Sequence, residues 1–248
     1  MKNIVVFGAG SALAHACARR WAARGDRLLL VGRAPERLRE AELDLAVRTG
    51  ATDRVSTFVM DARAAREPTP LLEEAMRRLG AVDVLLVAHG SLADRAQCEA
   101  SVPMTVEAIE VNGLSAVALM AAFAPPMRQR GAGTIAVISS VAGDRGRASN
   151  YTYGAAKALV TTFADGLRHR VHSSGVRVLT IKPGFVDTPM TAAITRKGAL
   201  WATADQVADD IVTAVDRGGG TLYTPWFWRW IMLVIRLIPE RLFVRLPL

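Results

Sequence analysis

Ile4-Val5-Val6-Phe7-Gly8-Ala9-Gly10-Ser11 compresses a strand, a turn and a helix start into one short run. Four apolar residues in a row, two of them valine and one isoleucine, suit a central parallel strand buried on both faces. Gly8 to Gly10 then turn the chain, and Ser11 is a plausible N-cap for a helix predicted over Ala12–Arg24. A glycine turn that delivers a helix N-terminus forms an anion site, because free backbone N–H groups and the helix dipole point outward. The same alternation recurs downstream. Strands are predicted at Arg27–Val31, Arg54–Met60, Val82–Val87, Thr134–Ile138 and Val176–Ile181. Helices are predicted near 35–49, 71–79 and 106–130, the last interrupted at Pro125-Pro126, and a further helix carries Tyr153 to about His172. Such alternation predicts an α/β fold: a Rossmann-type, doubly wound parallel sheet in three layers, forming a single domain. Residues 1–224 carry that pattern, and residues 225–248 form an apolar, basic extension rather than a second domain.

In sheets of this kind ligands bind beyond the carboxyl ends of the strands. Gly8–Ser11, Gly32-Arg33, Asp61, Ala88-His89-Gly90, Ser139-Ser140 and Pro183–Thr188 are all strand ends, so the candidate chemistry converges on one edge. Beside it stands Tyr153-Gly-Ala-Ala-Lys157, which places a phenol and an ammonium one helical turn apart. A phenol of pKa about 10 exchanges protons at neutral pH only if a neighbouring cation favours its anion. Lys157 is expected to supply that field and to make Tyr153 an acid–base group. Alone, a Tyr-x-x-x-Lys pair is an ordinary helix surface; its company at the strand ends gives it weight.

The chain has 248 residues, a net charge of +8 and a pI near 10.3. Its length suits one large α/β domain. Its charge suggests anionic company: nucleic acid, phosphorylated small molecules or an acidic membrane surface. Zinc spacing, an RNA-binding aromatic signature and a helix-turn-helix are all lacking, so nucleic acid is not expected. Cys17 and Cys98 suit neither a disulfide framework nor a metal site and are expected as small core residues. Met1-Lys2-Asn3-Ile4 enters a strand directly without a signal peptide, which predicts a cytoplasmic setting.

The C-terminal stretch reads Trp226-Phe227-Trp228-Arg229-Trp230-Ile231-Met232-Leu233-Val234-Ile235-Arg236 and continues to Leu248. Its apolar run from Ile231 to Ile235 is far short of the about 20 residues that span a bilayer. Tryptophans interleaved with arginines suit a helix lying in the headgroup layer, giving peripheral membrane contact through residues 226–246 at the inner face of the membrane. A helical flap on the substrate cleft or on another subunit of a homo-oligomer accounts for the same residues.

Taken together, these motifs resemble the short-chain dehydrogenase/reductase family over residues 1 to about 224. Tyr153 and Lys157 match its catalytic pair, Ser140 lies thirteen residues before Tyr153 as its catalytic serine does, and Asn112 holds the place of its catalytic asparagine. The resemblance implies a cofactor site formed by Gly8, Ser11, Ala12, Leu13, Asp61, Ala88, His89, Gly90, Tyr153, Lys157, Pro183, Val186 and Thr188. The chain departs from the family at Ala12, where glycine is usual, and at Val87-Ala88-His89-Gly90, where Asn-Asn-Ala-Gly is usual. His89 is then placed beside the cofactor ribose. Enzymes of this kind that use NAD carry a carboxylate at the end of the second strand, which would repel a 2′-phosphate. Gly32-Arg33 offers a guanidinium there instead, so NADP (NADPH) is the expected cofactor. The implied reaction is hydride transfer coupled to proton transfer by Tyr153, with no metal.

The tail, Ala88-His89-Gly90 and Gly143–Arg147 are also similar, more loosely, to reductases of decaprenylphosphoryl-2-keto-pentose type. That similarity implies a ketone substrate carried on a polyprenyl phosphate, with Arg145 and Arg147 as candidates to meet its phosphate. A soluble or acyl ketone, with the tail as an oligomer contact, is the alternative. A non-catalytic NADP sensor is a third reading, against which the retention of Asn112, Ser140, Tyr153 and Lys157 together argues.

Overall fold

The computed structural model describes residues 1–246 except Ala93, Ala193 and Arg196. Its elements run β1 (Asn3–Phe7), α1 (Ala12–Ala23), β2 (Arg27–Gly32), α2 (Pro35–Thr49), β3 (Val55–Val59), α3 (Thr69–Leu79), β4 (Val84–Val87), α4 (Arg95–Ala100), α5 (Val102–Ile109), α6 (Ser115–Arg130) and β5 (Gly133–Ile138). They continue with α7 (Tyr151–Val171), β6 (Val176–Pro183), β7 (Phe185–Asp187), β8 (Trp201–Thr203), α8 (Ala204–Arg217), β9 (Gly220–Thr224), α9 (Trp228–Leu237) and α10 (Glu240–Phe243).

The main sheet has the order β3-β2-β1-β4-β5-β6-β9, with every pairing parallel. The order reverses beside β1, whose Val6 pairs with Leu30 on one side and Leu86 on the other. Alternate residues of β1 serve opposite layers: Ile4 and Val6 join the core beneath α1 and α8, while Val5 and Phe7 join the core beneath α3 and α6. Both faces are covered, which is why the strand reads as unbroken apolar sequence. Burying each such side chain contributes about 1.5–3 kcal/mol. Cys17 and Cys98 are buried free thiols, as expected of small core residues.

The helix predicted over 106–130 differs in two ways. It begins at Val102, and its irregularity is a π-helical turn at Glu110–Leu114 rather than a break at Pro125-Pro126. Proline's fixed φ suits a helix, and the prolines cost the N–H bonds to Ala121 and Ala122 together with ring crowding against those carbonyls. Ala121 and Pro125 are exposed, on the side of α6 away from the sheet. The span Val102–Arg130 is long and apolar enough to cross a membrane, but Leu119, Met120, Phe123 and Met127 pack it into the core.

The C-terminal extension follows β9, a strand the alternation pattern did not predict. α9 turns Trp228 and Met232, four residues apart, inward against Val141. Trp230, Leu233, Val234 and Leu237 stay exposed on the opposite face. The helix is therefore apolar on two faces, of which the domain covers one.

Candidate active site

Ser140 leaves the end of β5 in extended conformation and caps a 3-10 turn at Val141–Gly143, its Oγ accepting from the Ala142 amide at 3.1 Å. Two glycines let this loop touch α7. A Cβ on Gly143 would fall 2.7 Å from the Lys157 carbonyl carbon, and one on Gly154 would fall 2.9 Å from the Ala142 oxygen. Ser139 Oγ donates to the Lys157 carbonyl at 2.9 Å and meets Thr161 Oγ1 at 2.8 Å. Backbone-to-backbone contact thus sets the spacing of the Ser140 loop from α7, with Ser140 near enough to Tyr153 to act on its phenol.

Lys157 is buried, and its Nζ donates to the Ile138 carbonyl at 2.9 Å and lies 5.7 Å from the Tyr153 ring centre. Asn112 sits in the π-helical turn, a frequent device at functional sites. Its Nδ2 donates to the Ala108 carbonyl at 2.9 Å and its Oδ1 accepts from the Ser91 amide at 2.8 Å. A Cβ on Gly90 would meet Asn112 Oδ1 at 3.0 Å and Lys157 Nζ at 3.7 Å, so these groups border one point. Asn112, Ser140, Tyr153 and Lys157 are all brought together.

The electrostatics differ from the sequence expectation. Burial pushes the Tyr153 phenol up to about 12, against a smaller opposing effect of the Ser140 hydrogen bond. Burial also pushes the Lys157 ammonium down to about 8. Desolvation disfavours both charged forms and is the largest cause at each group. Tyr153 is accordingly a protonated acid at neutral pH.

On the cofactor side, Gly8 has φ +88°, and a Cβ there would fall 2.5 Å from the His89 amide nitrogen. The opening turn therefore rests directly on Ala88-His89-Gly90, which only glycine permits. Ser11 caps α1 as expected, its Oγ accepting from the Ala14 amide at 3.1 Å. Ala12 and Leu13 form the first turn of α1 and are partly exposed. Arg33 is exposed and makes no hydrogen bond or ion pair among the described residues. Asp61 ends the β3 segment, with Oδ1 accepting from the Arg63 amide at 2.8 Å. Pro183 ends β6, buried Val186 pairs with Ala202 across β7 and β8, and the Thr188 amide donates to Thr191 Oγ1 at 3.2 Å.

His89 has partners on both the sheet and α6. Its ring packs edge-on against Phe7, with centres 4.8 Å apart, and its Nε2 meets Ser115 Oγ at 2.6 Å. Burial and the Lys157 charge push its pKa down to about 3. The neutral ring joins the opening strand to α6, and the backbone and Cβ of His89 border the opening turn.

The sequence reading missed an aromatic wall. Trp228 lies against Gly184, where a Cβ would fall 1.9 Å from the indole Nε1. Phe185 stacks on Trp201 and meets Trp228 edge-on, both at 5.3 Å. Arg145 also has another task than substrate contact. Its Nη1 donates to the carbonyls of Ile235 (2.6 Å) and Ile238 (2.7 Å), closing the end of α9. Its Nη2 pairs with Glu240 at 3.2 Å, and its guanidinium lies 3.6 Å from the Phe243 ring centre. No sequence spacing links residues so far apart.

Comparison with known proteins agrees with this geometry. The family model described as short chain dehydrogenase matches residues 2–199. An uncharacterized oxidoreductase of Mycobacterium tuberculosis is 34% identical over 244 residues, covering 98% of this chain and 96% of that protein. A short-chain dehydrogenase from Sphingobium yanoikuyae, solved with NADPH, superposes with a TM-score of 0.82 at 23% identity, covering 97% of each chain. A variant of actinorhodin polyketide ketoreductase, also solved with NADPH, gives 0.75 at 23% identity, covering 86% of this chain and 89% of that one. With a serine, a tyrosine and a lysine gathered at the strand ends of a seven-stranded parallel sheet, the chain belongs to the short-chain dehydrogenase family of oxidoreductases.

Proposed function

We propose that this chain is an NADPH-dependent reductase that converts a keto group to a secondary alcohol. The observation that carries the reading is a chain of neighbours: Ser140 acts on the Tyr153 phenol, Lys157 Nζ lies 5.7 Å from the Tyr153 ring centre, and Lys157 and Asn112 border the Gly90 corner. The residues fit the cofactor: Gly10, just before α1, has open space where a Cβ would stand, and Arg33 has no other partner among the described residues. Gly8, Ser11, Ala12 and Leu13 would hold the pyrophosphate, Arg33 the 2′-phosphate, and Pro183, Val186 and Thr188 the nicotinamide amide. NADPH supplies the hydride when bound.

The chain's own residues handle the proton. Ser140 Oγ accepts from a backbone amide, which fixes the hydroxyl, and its hydrogen turns from the Tyr153 oxygen to the substrate oxygen when a ketone binds. Negative charge that develops there is stabilised by that hydroxyl. Tyr153, protonated at neutral pH, passes its proton to the same oxygen. Lys157, held by the Ile138 carbonyl, and Asn112, held by Ala108 and Ser91, stand behind the phenol as the route by which its proton is replaced.

For the substrate, the reading is a keto compound on an apolar carrier, such as a 2-keto sugar on a polyprenyl phosphate. The uncovered apolar face of α9, flanked by exposed Arg229 and Arg236, supports peripheral contact with the inner face of a membrane. The same face equally suits contact within a homo-oligomer that reduces a soluble or acyl ketone. The test is NADPH oxidation across prenyl-phosphate keto sugars, free keto sugars and acyl ketones. Turnover of the prenylated class alone supports the carrier reading, and no NADPH oxidation with any ketone refutes the reductase.

A further inference from the structure

Arg145 and Arg147 lie two residues apart on the connection between Ser140 and Tyr153, yet their surroundings differ. Arg145 is saturated by the tail. Arg147 is half-buried, its Nε is shielded from solvent without an acceptor, and its guanidinium makes no ion pair or hydrogen bond among the described residues. Burial lowers its pKa, with only a partial counter-effect from Asp144.

The nearby acids are engaged elsewhere. Asp144 takes an ion pair from Lys182 and a hydrogen bond from Tyr223 at 2.8 Å. Glu240 pairs with Arg145 and is mostly exposed. Asn150 Oδ1 also lacks a partner, so it and Arg147 do not satisfy one another, although the Asn150 amide donates to the Arg147 carbonyl at 3.1 Å. A guanidinium taken out of water without a counter-charge is costly, and native proteins retain such groups where a ligand completes them.

Arg147 faces an open groove of about 340 Å³, bordered by Tyr151 at the start of α7 and by Glu240, Phe243, Val244 and Leu246 of the tail. One end of this groove is cationic; the side given by the tail is apolar at Phe243, Val244 and Leu246, and its one carboxylate, Glu240, is paired with Arg145. We infer that Arg147 and this groove form a recognition site for an oxyanion, phosphate or carboxylate, attached to an apolar chain. The site borders the Ser140–Tyr153 connection, so its ligand is the non-reacting part of the substrate; that assignment rests on the reductase reading above. A guanidinium suits this task because its planar fork binds such oxyanions through two parallel hydrogen bonds.

The experiment is calorimetric titration of the full chain with geranyl phosphate, geranic acid, geraniol and inorganic phosphate, for wild type, Arg147→Gln and Arg147→Lys. Geranyl phosphate and geranic acid are expected to bind wild type, and Arg147→Gln to weaken both at least about tenfold, with Arg147→Lys intermediate. Geraniol is expected to bind weakly and equally to all three. Undiminished binding of geranyl phosphate by Arg147→Gln overturns the site, as does its failure to bind wild type. Inorganic phosphate binding as tightly as geranyl phosphate overturns the apolar-chain part. NADPH binding by Arg147→Gln confirms that the variant is folded. Because binding is read without turnover, a protein that reduces no ketone yet holds geranyl phosphate through Arg147 separates this site from the reductase reading.

Discussion

Lys182 and Asp144 form an ion pair almost closed to solvent, their side chains 7% and 2% exposed. Tyr223 donates to the second carboxylate oxygen at 2.8 Å, so β6, β9 and the loop after Ser140 are tied at one point. Removing one partner of such a pair strands a buried charge, at about 3–5 kcal/mol. Asp144→Asn is therefore expected to lower unfolding stability by about that amount in urea titrations. Asp144→Asn combined with Lys182→Met should recover most of the loss; a double variant as unstable as the single one would show that the charge is not the cause.

Tyr153→Phe removes the proton donor and keeps the ring. Ketone reduction is expected to fall by about 10²–10⁴-fold, the usual contribution of a positioned acid. NADPH affinity, followed by fluorescence, should change little. Full activity in this variant would remove Tyr153 from its assigned role.

Lys157 is depressed to about 8 by burial, which has a signed consequence for stability. Between pH about 8 and the ordinary lysine range near 10.4, the unfolded chain binds a proton that the folded chain does not, so this group's contribution rises with pH. Below pH 8 the folded protein carries the full cost of the buried ammonium, about 3 kcal/mol. Lys157→Met should remove that cost, raising stability at pH 7 while abolishing turnover. Wild-type reduction should decline as pH rises through 8, when the ammonium is lost. A variant less stable than wild type at pH 7 contradicts the assignment.

Arg33→Ala should weaken NADPH by at least about tenfold and leave NADH nearly unchanged, since only NADPH presents a 2′-phosphate to the exposed guanidinium. Comparison of the two dissociation constants decides the matter, and equal losses would count against NADP.

Much of this was legible in advance because it is local or periodic. β1, the Gly8 turn, the Ser11 cap and the spacing of Tyr153 from Lys157 are encoded within a few residues each, and the strand ends follow from the alternation. The π-helical turn that places Asn112 is different. Its sequence, Glu110-Val111-Asn112-Gly113-Leu114, carries no breaker as visible as Pro125-Pro126, yet the irregularity is at the former. Direction of side chains was equally hidden. The strand-end position of His89 did not show that its ring meets Ser115; Arg145 was a candidate for substrate and closes α9. Each outcome depends on a partner 26 or 90 residues away, beyond the reach of any motif. The phenol's raised pKa was missed for a related reason: four-residue spacing shows that a cation is near, but not that both groups are dry.

Trp228 sits where a side chain on residue 184 would otherwise go, so the last part of the chain shapes the backbone beside the reacting centre without supplying a reacting group. Residue 184 is thus held to glycine by an indole 44 positions further along the chain, and a smaller residue at 228 would lift that constraint.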